Sequence, residues 1–211
     1  SYIVTGTDVN GCTDSDLITI SVLAVPNTVA NASTTEVCAG NTVTLNGSGA
    51  NTYTWSNGVS NNVSFVPGAT NTYTVTGTGS NGCTSTDQIT VTVNSLPLVN
   101  AGANQTACEN DLVTLVATGA LTYTWNNGVV NNVPFPATIS GVYAVTGTDA
   151  NGCTNSSSMN LTLNSLPTIG ISASATEVCD GNSVTLSGTG ATNYSWSNGV
   201  VNGVAFIPSG T

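Results

Sequence analysis

Apolar and polar residues alternate along most of this chain with a period of two. Examples are Val43–Leu45, Tyr53–Trp55, Tyr73–Val75 and Ile89–Val93, in which threonine separates the apolar side chains. This period is typical of strands with one buried face, and β-branched residues favour strands. Since no segment has the apolar spacing of an amphipathic helix, the pattern predicts an all-β protein.

The predicted strands are short and are separated by turn residues. Asn-Gly pairs, which readily adopt the positive φ of tight hairpin turns, stand at positions 57–58, 81–82, 127–128 and 151–152. About seven short strands fit in 70 residues, which predicts a small sandwich of two sheets. Five strands, lettered B, C, E, F and G, can be placed at Thr42–Asn46, Thr52–Ser56, Val63–Val66, Tyr73–Thr78 and Gln88–Val93.

This pattern returns every 70 or 71 residues along the chain. Three cysteines follow the period, and each is followed 17 residues later by a tryptophan; the pairs are Cys38 and Trp55, Cys108 and Trp125, and Cys179 and Trp196. A second set with the same period comprises Cys12, Cys83 and Cys153. A fixed period of this size indicates a tandem array of one supersecondary unit.

The edges of the repeats are predicted at Pro26, Pro97 and Pro167, which share the period. Residues 1–24 then form the C-terminal part of one repeat, residues 25–95 and 96–165 form two whole repeats, and residues 166–211 form the N-terminal part of another. We therefore interpret the chain as a window from a longer array, circularly permuted relative to the folding unit.

All twelve aromatic residues belong to the repeating set, which leaves none for a separate binding site. We expect the tryptophan of strand C to fill the space between the sheets, because a small sandwich can hardly leave its one tryptophan exposed. The alternative is that Tyr53 or Trp55 faces outward and stacks on a sugar. The predicted core residues are Trp55, Trp125, Trp196, Tyr73, Tyr143, Phe65, Phe135 and Phe206.

The charged residues exclude several functions. The chain has no Lys, Arg or His and ten Asp and Glu, which gives a net charge of −10. Without cations it cannot neutralise the phosphates of nucleic acid or be attracted to an anionic membrane surface. It also lacks the residues of a Ser-His-Asp triad, a Cys-His pair and a Schiff base. Since no carboxylate pair repeats across the copies, the sequence predicts a protein without catalytic residues.

The six cysteines are best explained by disulfide bonds formed outside the cell, because they are too widely spaced for a metal site. Each repeat has one cysteine just before strand B and one just after the F–G turn. These points lie at opposite ends of a sandwich, and a disulfide requires a Cα separation below about 7 Å.

In a head-to-tail rod, however, the strand-B end of one domain meets the F–G end of the next. We therefore favour the pair Cys38–Cys153, with the other four cysteines bonded to repeats before or after this window. The rival pairs are Cys38–Cys83 and Cys108–Cys153, which require a different strand order.

Two loops resemble the start of a calcium-binding loop. They begin at Asp8 and Asp149, but the acidic ligands expected downstream are missing, and Gly79 stands at this position in the middle copy. A plain turn is favoured, so we expect no cofactor and keep calcium as the alternative.

The repeats also resemble a known family. The segments 37–45 (VCAGNTVTL), 53–58 (YTWSNG) and 72–84 (TYTVTGTGSNGCT) are similar to the Ig-like or PKD-like repeats of very large surface proteins of Bacteroidota. Such proteins are typically exported by the type IX secretion system and include gliding and attachment adhesins. The resemblance implies tandem Ig-like sandwiches, an extracellular location and a spacer or adhesive role. The second copy departs from it, with Glu109-Asn110 after Cys108.

Together these observations predict a structural repeat region, the stalk or filament body of a large extracellular bacterial surface protein. Its partners would be neighbouring repeats of the same chain or filament, and surface glycans are a further candidate. One alternative is an adhesin whose repeats bind polysaccharide or surfaces through many weak sites. The other is the spacer of a secreted polysaccharide-degrading enzyme.

Overall fold

The computed structural model describes residues 1–209 and shows an all-β protein. Within these residues the helical elements are three short 3-10 turns, Ser56–Gly58, Asn126–Gly128 and Ser197–Gly199. None of them is long or apolar enough to cross a membrane. The predicted all-β fold is therefore confirmed.

The chain begins with an antiparallel hairpin of β1 (Tyr2–Thr7) and β2 (Thr13–Ile18). Its two strands form a sheet of their own. Every residue of both strands is exposed.

The next seven strands form two sheets around one core. They are β3 (Val29–Ala32), β4 (Glu36–Cys38), β5 (Val43–Ser48), β6 (Thr52–Trp55), β7 (Ser64–Phe65), β8 (Asn71–Thr78) and β9 (Thr84–Asn94). One sheet has the order β3-β5-β7 and the other β4-β9-β8-β6. The strands lettered B and E thus lie in one sheet, and those lettered C, F and G lie in the other. This division is that of an Ig-like β-sandwich.

The core of this sandwich consists of residues whose side chains point between the sheets. Val43, Leu45 and Val75 are almost completely buried. Further members are Val37, Trp55, Tyr73 and Val91. The alternating burial of β5 and β8 follows from the period of two, because successive side chains of a strand point to opposite faces.

A second group of six strands repeats this plan. They are β10 (Gln105–Cys108), β11 (Leu112–Val113), β12 (Thr122–Trp125), β13 (Phe135–Pro136), β14 (Gly141–Thr148) and β15 (Thr154–Asn164), in the sheets β10-β15-β14-β12 and β11-β13. The core contains Leu115, Trp125, Tyr143, Val145 and Leu161. As in the first group, the strand before B pairs in parallel with the last strand.

The last described strands are β16 (Gly170–Ala173), β17 (Val184–Thr189) and β18 (Ala205–Phe206), which form one antiparallel sheet. They correspond to β3, β5 and β7 of the first sandwich. In residues 166–209, no strand corresponds to β4 or β6.

The observed strands extend or shift several predicted bounds. Strand B begins at Val43 and ends at Ser48, and strand F begins at Asn71. Strand G begins at Thr84, opposite the end of β8, and continues to Asn94, because its last three residues pair with β4. The sequence did not place β3 or β4.

The Asn-Gly pairs occupy two kinds of turn. Gly82 has a φ of 82° and lies in the turn between β8 and β9, a hairpin as predicted. Asn57 and Gly58 also have positive φ, at 58° and 69°, but they follow β6, which pairs with β8 rather than with β7. The prediction of a hairpin there is wrong, because the chain crosses from one sheet to the other after this turn.

The chain divides into two compact units. The first contains Ser1–Leu98, Ala120–Thr122 and Thr148–Asn155, and the second contains Val99–Gly119, Tyr123–Gly147 and the residues from Ser156 onward. The first unit therefore includes the loop that precedes β15. The predicted repeat bounds at residues 24, 95 and 165 stay a prediction.

Candidate functional site

One disulfide bond joins Cys38 to Cys153, with a Cα separation of 5.6 Å. Cys38 is the last residue of β4, and Cys153 directly precedes β15. This is the pair that the sequence favoured. The bond connects a cysteine of one sequence copy to a cysteine of the next, across a separation of 115 residues.

The rival pairs are not formed, and the strand register gives the reason. Cys38 lies opposite Asn94, the last residue of β9, whereas Cys83 directly precedes the first residue of this strand. The 11 residues of β9 separate them by roughly 35 Å at about 3.3 Å per residue. Cys108 likewise lies opposite Asn164, at the far end of β15 from Cys153.

The other four cysteines are free thiols in the structure. Cys12, Cys108 and Cys179 are exposed, and Cys83 is half-buried. Their predicted bonds to other repeats stay a prediction.

A hydrogen-bonded clamp recurs in all three copies. In the first copy the indole Nε1–H of Trp55 donates to Oδ1 of Asn61 at 3.0 Å, and the backbone N–H of Gly47 donates to the same oxygen at 2.7 Å. The clamp therefore ties the tryptophan of β6 and the strand β5 to one amide. The other two copies use Trp125 with Asn131 and Trp196 with Asn202.

The sequence did not single out these asparagines. Their signal was the recurrence of Asn six residues after each tryptophan. This recurrence was hard to recognise because another asparagine or a glycine, residues typical of turns, follows directly in every copy. The sequence alone does not show which of the two residues points into the core.

The structure places the predicted aromatic core residues at two levels of burial. Trp55, Trp125, Tyr73 and Tyr143 are buried. Phe65 and Phe135 are half-buried; Phe65 contacts Tyr73 edge-on with a centroid separation of 5.4 Å. Trp196 and Phe206, in the last copy, are also half-buried. The alternative of an outward Trp55 is therefore wrong, because its ring is 6% exposed.

A tyrosine of strand C is fixed beside a glycine of strand B. The hydroxyl of Tyr53 donates to the carbonyl of Ala50 at 2.6 Å and accepts from the N–H of Ala50 at 2.8 Å. A Cβ at Gly47 would lie only 2.4 Å from Cδ1 of the Tyr53 ring, so the ring occupies the space that a larger residue would need. Tyr53 therefore packs against the strand instead of offering its face to a sugar.

The two acidic loops form turns through their first carboxylate. Oδ1 of Asp8 accepts the N–H groups of Asn10 and Cys12 at 2.9 and 2.8 Å, and Oδ1 of Asp149 accepts those of Asn151 and Cys153. These bonds use the carboxylate to cap the turn. Across residues 1–209, no group of three or more His, Cys, Asp or Glu is placed to hold a metal ion.

Side chains of β9 bond to the backbone of β3, which lies in the other sheet, and to the backbone of the segment just before β3. The carboxylate of Asp87 accepts the N–H of Ala30 at 2.8 Å, and Ser85 donates to the carbonyl of Pro26 at 2.6 Å. The backbone N–H groups of Ala30 and Gln88 lower the pKa of Asp87, because they stabilise its ionised form. In the second copy the hydroxyl of Ser157 accepts the corresponding N–H, from Ala101, at 3.2 Å.

The outer surface of the β6-β8-β9 sheet carries rows of hydroxyl groups. Neighbouring strands place Thr76 beside Thr86, and Thr72 Oγ1 lies 2.8 Å from Thr90 Oγ1. Such rows are about 4.8 Å apart across a sheet. We call this surface the threonine face; it comprises Thr52, Thr54, Thr72, Thr74, Thr76, Thr78, Thr84, Thr86 and Thr90.

No family model matches the sequence, and no curated protein matches it either. Among solved structures, the chain is similar to the N-terminal eight Ig domains of Down syndrome cell adhesion molecule. The identity is 13% over 84% of this chain and 34% of that chain, with a TM-score of 0.33.

Two further solved structures align with most of the chain. One is a Ca²⁺-stabilised adhesin that helps an Antarctic bacterium reach out and bind ice, with 19% identity over 90% of this chain and 64% of that chain and a TM-score of 0.37. The other contains extracellular cadherin domains 3–6 of protocadherin gamma B2, with 11% identity, 83% and 59% coverage and a TM-score of 0.26. The chain thus spans about a third of the first protein and under two thirds of these two. The Ig-like fold is assigned from the strand order alone.

Proposed function

We propose that this chain is a structural repeat region, the stalk or filament body of a large extracellular bacterial surface protein, without a catalytic role. The observation that carries the proposal is the disulfide Cys38–Cys153, which joins successive copies of the repeat. We expect a bond in this place to limit the movement of neighbouring copies, which supports a role as a stalk. It also requires an oxidising compartment, which supports an extracellular location.

The use of the aromatic residues supports the same function. The tryptophans of the two whole copies are buried between the sheets, and their indole N–H groups are bonded to asparagine. An active or binding site normally needs side chains that are not required for packing. In these two copies the tryptophan side chains are part of the core. The repeated unit is therefore built for stability at small size.

The test is electron microscopy of the full chain, oxidised and reduced, with thiol counting in parallel. We expect thin elongated particles whose bending increases after reduction, because reduction removes the link between copies. The double variant Cys38→Ser with Cys153→Ser should bend like the reduced chain, and the matched control Cys108→Ser should behave like the oxidised chain. A compact particle, or a free Cys38 thiol in the oxidised chain, would contradict the proposal.

A second candidate function is adhesion, and the threonine face favours it. Its hydroxyl groups are fixed in rows, since Gln88 Nε2 also donates to Thr74 Oγ1 at 3.2 Å. A fixed array of hydroxyls binds a polar polysaccharide surface with little loss of side-chain entropy, and repetition adds avidity.

Adhesion can be tested with insoluble cellulose and chitin particles. If the threonine face binds, Thr76→Val combined with Thr86→Val should reduce the bound fraction several-fold. The control variant Thr35→Val changes an exposed threonine outside this face and should bind like the original chain. Equal binding by all three chains would exclude this surface.

A further inference from the structure

The dipeptide Asn-Gly occurs eight times in the chain, at positions 10–11, 46–47, 57–58, 81–82, 127–128, 151–152, 198–199 and 202–203. In this dipeptide the backbone nitrogen of glycine can attack the side-chain amide of asparagine, because glycine has no Cβ that blocks the approach. The attack requires that both groups can move. The eight pairs differ in how firmly the structure holds these two groups.

In three pairs, hydrogen bonds fix the asparagine amide. Asn81 is bonded at both ends, because Nδ2 donates to the carbonyl of Ala24 at 2.8 Å and Oδ1 accepts the N–H of Cys83 at 3.1 Å. Asn202 is the clamp residue of the last copy, and its Oδ1 accepts two N–H groups. The amide of Asn46 donates to a neighbouring asparagine. None of these three amides can turn toward the next nitrogen without losing a bond.

The glycine nitrogen is fixed in these three pairs and in two others. The N–H group donates a hydrogen bond of 2.7 to 3.2 Å in Gly11, Gly47, Gly82, Gly152 and Gly203. The nitrogen must give up its proton before it can attack, so each of these bonds has to break first. Five of the eight pairs are therefore protected at one or both of the reacting groups.

The remaining three pairs lie in the 3-10 turns that follow strand C. Within residues 1–209 their asparagine side chains make no hydrogen bond, and no bond of the kind described above holds the glycine N–H. The bond that closes each turn comes from the next residue and is 3.4 Å long. The three asparagines are also exposed to water. They are Asn57, Asn127 and Asn198.

The backbone of these three turns is strained. Their asparagines have a φ of 56° to 58°, in the left-handed region, whereas the asparagines of the other five pairs, all within residues 1–209, have negative φ. The left-handed conformation is less stable than the right-handed one for residues with a Cβ, although asparagine tolerates it better than most. Strain and the lack of hydrogen bonds both favour local opening of the turn.

The two ends of the turn are fixed, as the first copy shows. Ser56 Oγ accepts the N–H of Thr74 at 3.0 Å, and the clamp residue Asn61 follows shortly after the turn. Asn57 and Gly58 therefore form a free segment between two fixed points. Because the side chain of Asn57 has no hydrogen bond to lose, we expect the sandwich to tolerate a carboxylate in its place.

We propose that Asn57, Asn127 and Asn198 are sites of spontaneous deamidation, at which water converts asparagine into aspartate or isoaspartate. The nitrogen of the following glycine gives up its proton and forms a bond to Cγ of the asparagine. The bond from Cγ to Nδ2 breaks, and Nδ2 leaves as ammonia with a proton taken from the solvent. The product of this step is a cyclic imide.

Water then opens the imide ring. Attack of water at Cγ breaks the bond from Cγ to nitrogen and gives aspartate. Attack at the backbone carbonyl carbon breaks the other carbon–nitrogen bond and gives isoaspartate, in which the chain continues through the side chain. Either product adds one negative charge to an exposed turn of a chain whose net charge is already −10.

The test incubates the full oxidised chain at mildly alkaline pH and follows each pair by mass spectrometry after peptic digestion. Pepsin acts in acid, where further deamidation is slow, and the chain has no Lys or Arg for trypsin. We expect the three turns to react at least several-fold faster than the other five pairs. No reaction at the three turns, equal rates at all eight pairs, or a faster reaction at any of the other five overturns the proposal.

An unfolded control separates the effect of structure from that of sequence. In urea with a reductant, the eight pairs should react at similar rates, because they consist of the same two residues and their hydrogen bonds are lost. A preference for the three turns that persists in the unfolded chain would show that neighbouring residues cause it, and would overturn the assignment to the fold.

Two variants of the first copy complete the test. Asn57→Gln disfavours ring closure through its longer side chain, so it should abolish the reaction at this turn and leave the rates at Asn127 and Asn198 unchanged. Asn57→Asp carries the carboxylate of the product and should unfold at the same urea concentration as the original chain. A lower urea midpoint for Asn57→Asp would show that the Asn57 side chain is not free, and would overturn the proposal.

Discussion

Two hairpins of nearly the same sequence, β1–β2 and β8–β9, differ in burial because they have different surroundings. β1–β2 and β8–β9 have the same register and the same turn, with a positive φ at Gly11 and at Gly82. Only β8–β9 covers a core. The local sequence is therefore sufficient for strand pairing, while burial depends on the opposite sheet.

The comparison also explains the difference in strand length. β9 has 11 residues and β2 has six. The last three residues of β9, Thr92–Asn94, pair with β4 in parallel, and β2 has no such partner among the described residues. A strand thus extends as far as it has a paired neighbour on at least one edge.

The largest predicted effect on stability comes from placing a charge on the apolar face of each hairpin at corresponding positions. Val75→Asp should destabilise the first sandwich by about 3–5 kcal/mol, because it buries an unpaired carboxylate. Val4→Asp, the same change on the exposed hairpin, should leave the stability of a dilute reduced chain unchanged. Hydrogen exchange of peptic peptides from residues 71–94 and 1–18 measures both effects. Equal losses of protection would contradict the comparison.

The next largest effect is expected at a glycine that close packing requires in β8 but not at the corresponding position of β1. A Cβ at Gly77 would lie 2.2 Å from Thr28 Oγ1 and 2.7 Å from Ala50 Cβ, whereas one at Gly6 would meet nothing within 4 Å. We expect Gly77→Ala to cost about 3 kcal/mol through overpacking. Gly6→Ala should be neutral or slightly stabilising, since glycine weakens a strand. Thermal unfolding in reducing buffer checks the pair, and a neutral Gly77→Ala would refute the close packing.

The asparagine clamp should contribute more to stability in the first copy, where the tryptophan is buried, than in the last copy, where it is half-buried. Asn61→Ala should cost about 2 kcal/mol, because it leaves the buried indole N–H of Trp55 and the N–H of Gly47 without an acceptor. Asn202→Ala should cost less, since half-buried Trp196 allows water to replace the lost oxygen. Fluorescence-detected urea unfolding of the two variants, compared with the original chain, measures the difference. A larger loss for Asn202→Ala would count against this explanation.

The smallest predicted effect is pH-dependent. Since backbone N–H groups lower the pKa of Asp87, its stabilising contribution is complete above the unfolded-state value of about 3.9 and is lost as pH falls through the folded-state pKa. The gap in urea midpoint between the original chain and Asp87→Asn should therefore close on acidification.

A control for this prediction lies on the exposed hairpin. Asp16 accepts the N–H of its neighbour Leu17 at 2.8 Å. Because this contact is local, Asp16→Asn should leave the midpoint unchanged at neutral pH. A gap for Asp87→Asn that stays constant from pH 6 to pH 2 would show that the Ala30 contact does not depend on ionisation.

Strand identity was predictable from the sequence because alternating burial leaves an alternating pattern. Strands B, C, E, F and G were placed within a few residues of their observed positions. β3 and β4 were not placed, since their few residues contain no alternation long enough to recognise. Their positions are determined by pairing with other strands: β3 pairs with β5, and β4 pairs with β9, which lies far away in the sequence.

Differences between the copies were not predictable either. The segment of the second copy that corresponds to β3 forms a single bridge, between Asn100 and Thr118. Gly102 interrupts it with a φ of 82°, and its N–H donates to the side chain of Asn100 at 2.9 Å. The first copy has Asn31 in place of Gly102, and since both residue types are common in turns, tertiary contacts decide between the turn and the strand.

The bond between Cys38 and Cys153 also determines how the chain responds to tension. A force applied to its two ends passes through the sulfur atoms and does not stretch the intervening segment. With a separation of 115 residues and about 3.5 Å per extended residue, roughly 400 Å of contour length is withheld from stretching. After reduction of this bond, force could unfold and extend the segment, so the maximum extension of the chain depends on the redox state of its environment.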